Sequence, residues 1–407
     1  MNAYLEKAGG YLRHLCLDIP TRLVGTAGNR AATDFFERTA GSLGWQTKTQ
    51  RFDSLDYKTG KINLQAEETR FAISISPYSL GCNVQAELST ASTIEELRAG
   101  EHSGKILLLK GDLTREQLAP KKYVFYNPDA HKEIYRLLES QQPAAILTAT
   151  AKNPAMAGAQ YPFPLIEDGD FDIPTAFMTD VEGERLSAWA GKPLRLEMEA
   201  QRLPSWSENV CAFNGNQAGK RVVVCAHIDA KTGTPGAVDN ASGVVVLLLL
   251  AEMLKAHPVS APVELLAMNG EDHYSAGGEL AYLGRHAGRL DQIRLAINVD
   301  GAGYRGSPSE ISFYECPPFE RDLALVEMKN FASMQEGAIW YQSDHMVFAM
   351  NQVPAIALTT AAFMEMETEI AHTEKDTPDL VDLSLLVDIA RFLNGFINAL
   401  AKGGEHA

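Results

Sequence analysis

Between residues 208 and 400 the chain alternates two textures. RVVVCAH (221–227), VELLAMN (263–269), LAINVD (295–300) and AIALTT (355–360) are short unbroken apolar runs. Runs of this kind predict strands of a sheet covered on both faces. Between them lie segments of helical length. ASGVVVLLLLAEMLKAH (241–257) is apolar nearly all round and predicts a buried helix. SAGGELAYLGRH (275–286) predicts a second helix, and PDLVDLSLLVDIARFLNGFINAL (378–400) a long closing helix with proline at its start. Alternation of strand and helix predicts an α/β fold with a mostly parallel central sheet and helices on both faces.

The rest of the chain reads differently. Residues 2–17 and 30–44 show helical periodicity, with the glycine-bearing loop TRLVGTAGN (21–29) between them, and 46–53 alternate as a short strand. From about residue 70 a separate unit begins. GKILLLKG (104–111), AAILTAT (144–150), DIPTAFMT (172–179) and PLRLEMEAQ (193–201) predict strands, while HKEIYRLLESQQ (131–142) and VEGERLSAWAG (181–191) predict helices. The stretch 151–171 is loop-like. The expected division is one domain of 1–69 with 204–407, and a small inserted α/β domain of 70–203. The tail GGEHA is expected to fray.

Composition narrows the function classes. The 407 residues, 45% hydrophobic and 22% charged, are ordinary globular usage. With 36 Lys and Arg against 52 Asp and Glu, the net charge is −16, which repels phosphate backbones and argues against nucleic-acid partners. The 5 cysteines form no C-x-x-C pair, which speaks against a disulfide framework or cysteine zinc knuckle and fits a reducing compartment. Glu6 and Lys7 interrupt what a signal peptide would need as its apolar core. The unbroken apolar run Val244 to Ala251 is shorter than the roughly 20 residues that span a bilayer. A cytoplasmic protein without membrane contact is the expectation, and a homo-oligomer is compatible with it.

Open α/β sheets place their sites beyond the carboxyl ends of the strands, and here those ends carry a consistent set. The first strand ends at His227, followed by Asp229, and its loop reaches Asp239 and Asn240. The next ends in Gly270-Glu271-Asp272, and the third at Asp300. His372 follows the last strand. Two imidazoles and several carboxylates without thiolates suit a divalent cation such as zinc. Taken singly, each residue has a plain structural alternative: Asp239 as a helix cap, Glu271-Asp272 as solvated loop charge. Taken together, five strand-terminal sites make coincidence a poor explanation.

H-I-D at 227–229, G-A-V-D-N-A-S-G at 236–243, N-G-E-D at 269–272, N-V-D-G at 298–301, S-D-H-M-V-F at 343–348 and H-T-E-K-D-T at 372–377 resemble, in order and spacing, the family-28 metallopeptidases. RLVGTAGNRAATDFF (22–36) resembles the family's opening more weakly, and 70–203 resembles a protease-associated insert. The resemblance implies the zinc-peptidase, phosphorylase/hydrolase-like fold and a di-zinc aminopeptidase acting on peptides with a free N-terminus. It implies Asp239 as the bridge between two zinc ions, His227 and Asp300 on one, and Asp272 and His372 on the other. Glu271 is implied as general base, taking a proton from the attacking water and returning it to the leaving amine. Asp229 is implied to hold the other nitrogen of His227, and the Asp239–Asn240 peptide to be cis. Asn240, Asp344, His345 and Asp376 are implied to support the pocket or line it for substrate.

Two positions depart from the family pattern. Asp272 stands where a glutamate is usual, one methylene shorter. Ala371 stands where some relatives carry a tyrosine that stabilises the oxyanion, and Tyr341 or His345 are the substitutes the sequence offers. The alternatives on this architecture are a single-zinc glutaminyl-cyclase-like acyltransferase, a carboxypeptidase, or a non-catalytic binding protein.

Overall fold

The computed structural model describes residues 2–19, 21–152, 158–214, 219–341 and 343–403; from residue 404 on, the tail expected to fray lies outside them. The chain forms two compact units, Met1–Asp53 with Trp206–Ala407, and Ser54–Ser205. The first boundary falls earlier than the expected 69/70. The strand begun at Gln46 does not stop at residue 53 but runs to Ala66, and Leu64 and Ala66 belong to the second unit's own apolar cluster.

In the first unit the strands lie in the order Met334–Glu336, Ser309–Tyr314, Ala355–Thr360, Ile293–Val299, Arg221–His227, Val263–Met268, and then residues 210–213. The four from Ala355–Thr360 to Val263–Met268 are mutually parallel. Ser309–Tyr314 and residues 210–213 pair antiparallel on either side. The sequence pattern did not yield Ser309–Tyr314, Met334–Glu336 or helix Pro318–Met328.

The sheet has two unlike faces, set by the two-residue strand period. Val222, Val224, Ala226, Leu265, Ala267, Ile297, Val299, Ile356 and Leu358 join the main apolar core. Against them sits helix Ser242–Ala256, whose residues from Ser242 through Ala251 are all buried. Helix Leu383–Gly403 and the N-terminal helix Asn2–Arg13 pack on it. Truncating a leucine such as Leu247 in this core costs about 2–5 kcal/mol. The other strand parity carries Cys225, Glu264 and Asn298, and ends in His227, all fully buried. There Glu264 accepts from Arg221 Nε at 2.6 Å and from Tyr282 Oη–H at 3.4 Å, and Tyr282 of helix Gly277–Arg285 meets Phe348 of helix His345–Ala349 edge-on.

Local chemistry corrects several expected boundaries. The helix expected over 30–44 is Ala27–Ser42, because Thr26 Oγ1 accepts the Asn29 N–H at 3.1 Å and caps the turn before it. Pro378 does not open the closing helix. It opens a single 3₁₀ turn, Pro378–Leu380, and the helix starts only at Leu383, where Asp382 accepts from the Ser384 N–H at 2.9 Å. By length and composition Ala237–Ala256 and Leu383–Gly403 are each apolar enough to cross a membrane, more than the run Val244–Ala251 suggested, and the first is buried as the core helix.

The second unit has its own strands. Cys82–Ala91, Ile106–Leu109, Ala145–Thr150 and Thr175–Thr179 pair parallel in that order, and Cys82–Ala91 also pairs antiparallel with residues 193–198. Helix Asp129–Gln141 buries Ile134, Leu137 and Leu138 against the unit's second apolar cluster.

Candidate metal centre

Strand register brings the polar residues to one level. His227 pairs with Met268 on one side, so the turn 269–272 begins beside it. Cys225 pairs with Asn298 on the other, so Asp300 emerges level with His227. Asp239 reaches the same place from the loop after His227. Parallel, in-register strands end together, which is why residues distant in sequence converge here.

The distances define two overlapping sets. His227 Nε2 lies 3.1 Å from Asp239 Oδ1 and 3.4 Å from Asp300 Oδ1. His372 Nε2 lies 3.2 Å from Asp239 Oδ2 and 2.9 Å from Asp272 Oδ1. In each of the sets His227–Asp239–Asp300 and Asp239–Asp272–His372, the potential ligand atoms lie within 4.8 Å of one another. The two sets share Asp239, one carboxylate oxygen facing each histidine. Glu271 joins His227 and Asp272 in a third such set.

The electrostatics are those of a cavity built for positive charge. Burial alone would push the His227 imidazole down, but Asp300, Asp229 and Asp239 hold it well above its ordinary value. For His372, Asp272 and Asp239 likewise overcome burial. Asp239 is driven far below the usual carboxylate range: burial opposes this, but both imidazoles prevail. Half-buried Glu271 goes the other way, raised well above the ordinary value by burial and by the nearby Asp272, Asp300 and Asp344. Protons on the histidines thus stand where a cation would. Asp272 Oδ2 and His227 Nε2 are also buried without a hydrogen-bond partner. Buried imidazoles and carboxylates converging in this way fit a divalent metal such as zinc.

The surrounding residues fix this geometry. Asp229, 3.7 Å from His227 Nδ1, accepts the Gly270 N–H at 2.8 Å and the Asp272 N–H at 3.1 Å. It therefore holds the 269–272 turn and faces the histidine ring from the side of Nδ1. Asp376 accepts the N–H groups of Val238 at 2.7 Å and Asp239 at 3.0 Å, while burial first, and then Asp239, raise its carboxyl to about 7. Asn240 faces away from the ligand sets. Its Nδ2 donates to Val299 O at 2.9 Å and its Oδ1 accepts the Gly243 N–H at 3.0 Å, so Asn240, not Asp239, caps the core helix. Gly243 is obligatory there, because a Cβ would stand 2.4 Å from Val299 O. The Asp239–Asn240 peptide is cis.

Three further residues named from the sequence also lie outside the ligand sets. His345 is buried against Trp340 and Tyr314, pairs through Nε2 with Trp340 O at 3.0 Å, and is pushed down by burial to about 4. It is neutral packing rather than a ligand. Asp344 is buried with neither carboxyl oxygen hydrogen-bonded among the described residues, and burial raises it to about 8. Tyr341 is 72% exposed.

Four further contributors carry roles that the sequence reading did not assign, although Ser343 stood in its S-D-H-M-V-F motif. Ser343 donates from Oγ to Asp300 Oδ2 and accepts from Asn298 Nδ2 at 2.8 Å. Glu279, buried, leaves Oε2 without a partner. Glu367, half-buried on helix Phe363–Glu369, is raised to about 7 by burial, with His372, Asp239, Asp300 and Asp272 acting on it in turn. Arg22, 3% exposed, donates to Ile228 O at 2.9 Å, Leu15 O at 3.0 Å, Pro235 O at 2.8 Å and Gly236 O at 2.8 Å. It knits both ends of the loop that delivers Asp239. Only the charge of Arg22 inside the opening motif could have drawn attention to it.

Comparisons with known proteins agree with this architecture. Over 98% of this chain and 93% of the other, the fold matches an aminopeptidase from Aneurinibacillus sp. strain AM-1 at 19% identity and a TM-score of 0.75. It matches BSAP, a zinc aminopeptidase from Bacillus subtilis, at 20% identity and a TM-score of 0.75, over 99% of this chain and 96% of that one. In sequence, leucine aminopeptidase 1 of the fungus Arthroderma otae is 24% identical over 54% of this chain and 68% of its own length. YfbL of Escherichia coli, itself uncharacterized, is 26% identical over 47% of this chain and 70% of its own length. Residues 209–397 match the model of Peptidase family M28. Over these residues the chain is thus similar to Peptidase family M28, which supports a hydrolase acting on peptide bonds.

Proposed function

We propose that the protein is a zinc-dependent aminopeptidase that holds two zinc ions and releases the N-terminal residue of peptides with a free N-terminus. The observation that carries this reading is the pair of three-residue sets joined through Asp239. In it His227 and Asp300 serve one ion, Asp272 and His372 the other, and Asp239 both. The aminopeptidase titles of the structurally similar proteins support the reading, as does that of the Arthroderma otae relative. The 54–205 unit, with its four parallel-paired strands, suits an inserted protease-associated module.

Zinc bound at this site supplies Lewis acidity, polarising the scissile carbonyl and lowering the pKa of water. The rest is done by the chain's own groups. Glu271 sits beside His227 and Asp272 with its carboxyl biased toward holding a proton. It accepts the proton that the attacking water loses as the C–O bond forms. It passes that proton to the departing amine as the C–N bond breaks, so the carboxylate is regenerated. Asp229 keeps the His227 ring in place through the cycle, and Asp376 holds the Asp239 backbone. One methylene shorter than glutamate, Asp272 still reaches His372 Nε2 at 2.9 Å.

The test is zinc content per chain, measured together with hydrolysis of aminoacyl-arylamides by the wild type and Glu271→Gln. Two equivalents of zinc, chelator-sensitive cleavage, and a variant that keeps zinc but loses about 10²–10⁴-fold in kcat are expected. One equivalent without cleavage after zinc is restored would refute the aminopeptidase reading in favour of cyclase-like chemistry. Normal turnover in Glu271→Gln would remove that residue from the mechanism.

A further inference from the structure

Helix Phe363–Glu369 leads through Ile370 and Ala371 into His372. It is pinned behind the site at Met366, which is buried, and a Cβ placed at Gly301 would meet its terminal methyl at 3.0 Å. Gly301 directly follows Asp300, so this contact ties the helix to one ligand set while its C-terminal end carries the other. Phe363 and Glu367 are four residues apart and share a helix face. The Phe363 ring lies 4.9 Å from that of Trp340, and both rings are only partly buried. Glu367, also half-buried, makes no hydrogen bond or ion pair among the described residues, and the charged groups acting on it are His372, Asp239, Asp300 and Asp272. An aromatic pair and, one turn along the same helix, this carboxylate thus stand together at the segment that leads into His372.

This grouping matches one substrate chemistry. Aromatic faces and a carboxylate together attract an alkylammonium or guanidinium group. An acidic side chain would meet Glu367 as a like charge, and a purely aliphatic one would leave that carboxylate half-buried and unpaired. Resting on the aminopeptidase reading above, we propose that Trp340, Phe363 and Glu367 form the wall that receives a lysine or arginine side chain of the substrate's N-terminal residue. The α-amine and scissile bond then lie toward Asp239 and Glu271, with the cationic side chain along this wall.

The experiment is a steady-state comparison of Lys-, Arg-, Leu- and Glu-arylamides on the zinc-loaded wild type, Glu367→Gln and Glu367→Lys. The wild type is expected to favour Lys and Arg over Leu at least tenfold in kcat/KM, and Glu least. In Glu367→Gln the Lys/Leu ratio falls about 10–100-fold, carried mainly by KM, because a charge-assisted contact of about 1.5–3 kcal/mol is removed. In Glu367→Lys the Glu/Lys ratio rises by a similar factor. Calorimetric titration with the products L-arginine and L-leucine reads the same selectivity without turnover, and the wild-type preference for arginine shrinks in Glu367→Gln. A purely structural role would lower all substrates together, so unchanged Lys/Leu ratios within twofold in both variants overturn the proposal and leave the aminopeptidase reading standing. A wild type that cleaves none of the arylamides overturns the aminopeptidase reading itself.

Discussion

Replacing Arg22 by Met tests how the metal loop is held. The guanidinium is 3% exposed and serves four backbone carbonyls: Leu15, Ile228, Pro235 and Gly236. The close approach needs glycine at 236, since a Cβ there would stand 2.6 Å from Arg22 Nη2. Methionine fills similar volume but donates nothing. Hydrogen bonds from charged donors are worth about 1.5–3 kcal/mol each, though four on one group are not additive. A loss of about 4 kcal/mol is therefore expected, at the upper end for single substitutions. For a unit of roughly 250 residues this lowers Tm by about 8 °C. Because Ile228 follows His227, and Gly236 precedes Asp239 by three residues, zinc affinity should also fall about 10–100-fold, as for lost orienting contacts elsewhere. Arg22→Lys keeps the charge but not the fork, and should lose about half as much. Scanning calorimetry of the metal-free protein and competitive zinc titration give the two numbers. A Tm within 2 °C of wild type together with unchanged zinc affinity would refute the view that Arg22 organises this loop.

Two further outcomes follow from the cluster's charges. Asp239→Asn removes the carboxylate shared by both sets and leaves the imidazoles facing an amide, so zinc content should drop below one equivalent; atomic absorption showing wild-type content contradicts the shared role. The metal-free protein should also lose stability as pH rises from about 6 to 9. His227, His372 and Glu271 all have raised folded-state pKa values, and Asp344 and Asp376 stand at about 8 and 7. In that window the folded state holds more protons than the unfolded chain, so unfolding free energy falls with pH. The depressed Asp239 acts in the opposite sense only under acid conditions, below the window. A metal-free Tm that rises from pH 6 to 9 contradicts this sign.

The sequence by itself determined the central sheet and the residues that meet at its end. Unbroken apolar runs at 221–227, 263–269, 295–300 and 355–360 place four parallel strands, and the polar residue ending each is a local signal. Parallel pairing then does the assembly, because in-register strands finish at one level. What the sequence did not contain is anything set by contacts between distant segments. Arg22 acts on carbonyls more than two hundred residues away, from Ile228 to Gly236. The strand that continues past residue 53 to Ala66 shifts a boundary, because the partners of Leu64 and Ala66 lie in the second unit. Asn240 takes the capping role that periodicity offered to Asp239, since Asp239 is drawn instead to His227 and His372. Glu367 looks like one acid among several in FMEMETE, and only the folded chain brings it within the field of His372, Asp239, Asp300 and Asp272. Local periodicity specifies elements and their ends; which side chain finds which partner depends on burial and charge summed over the closed fold.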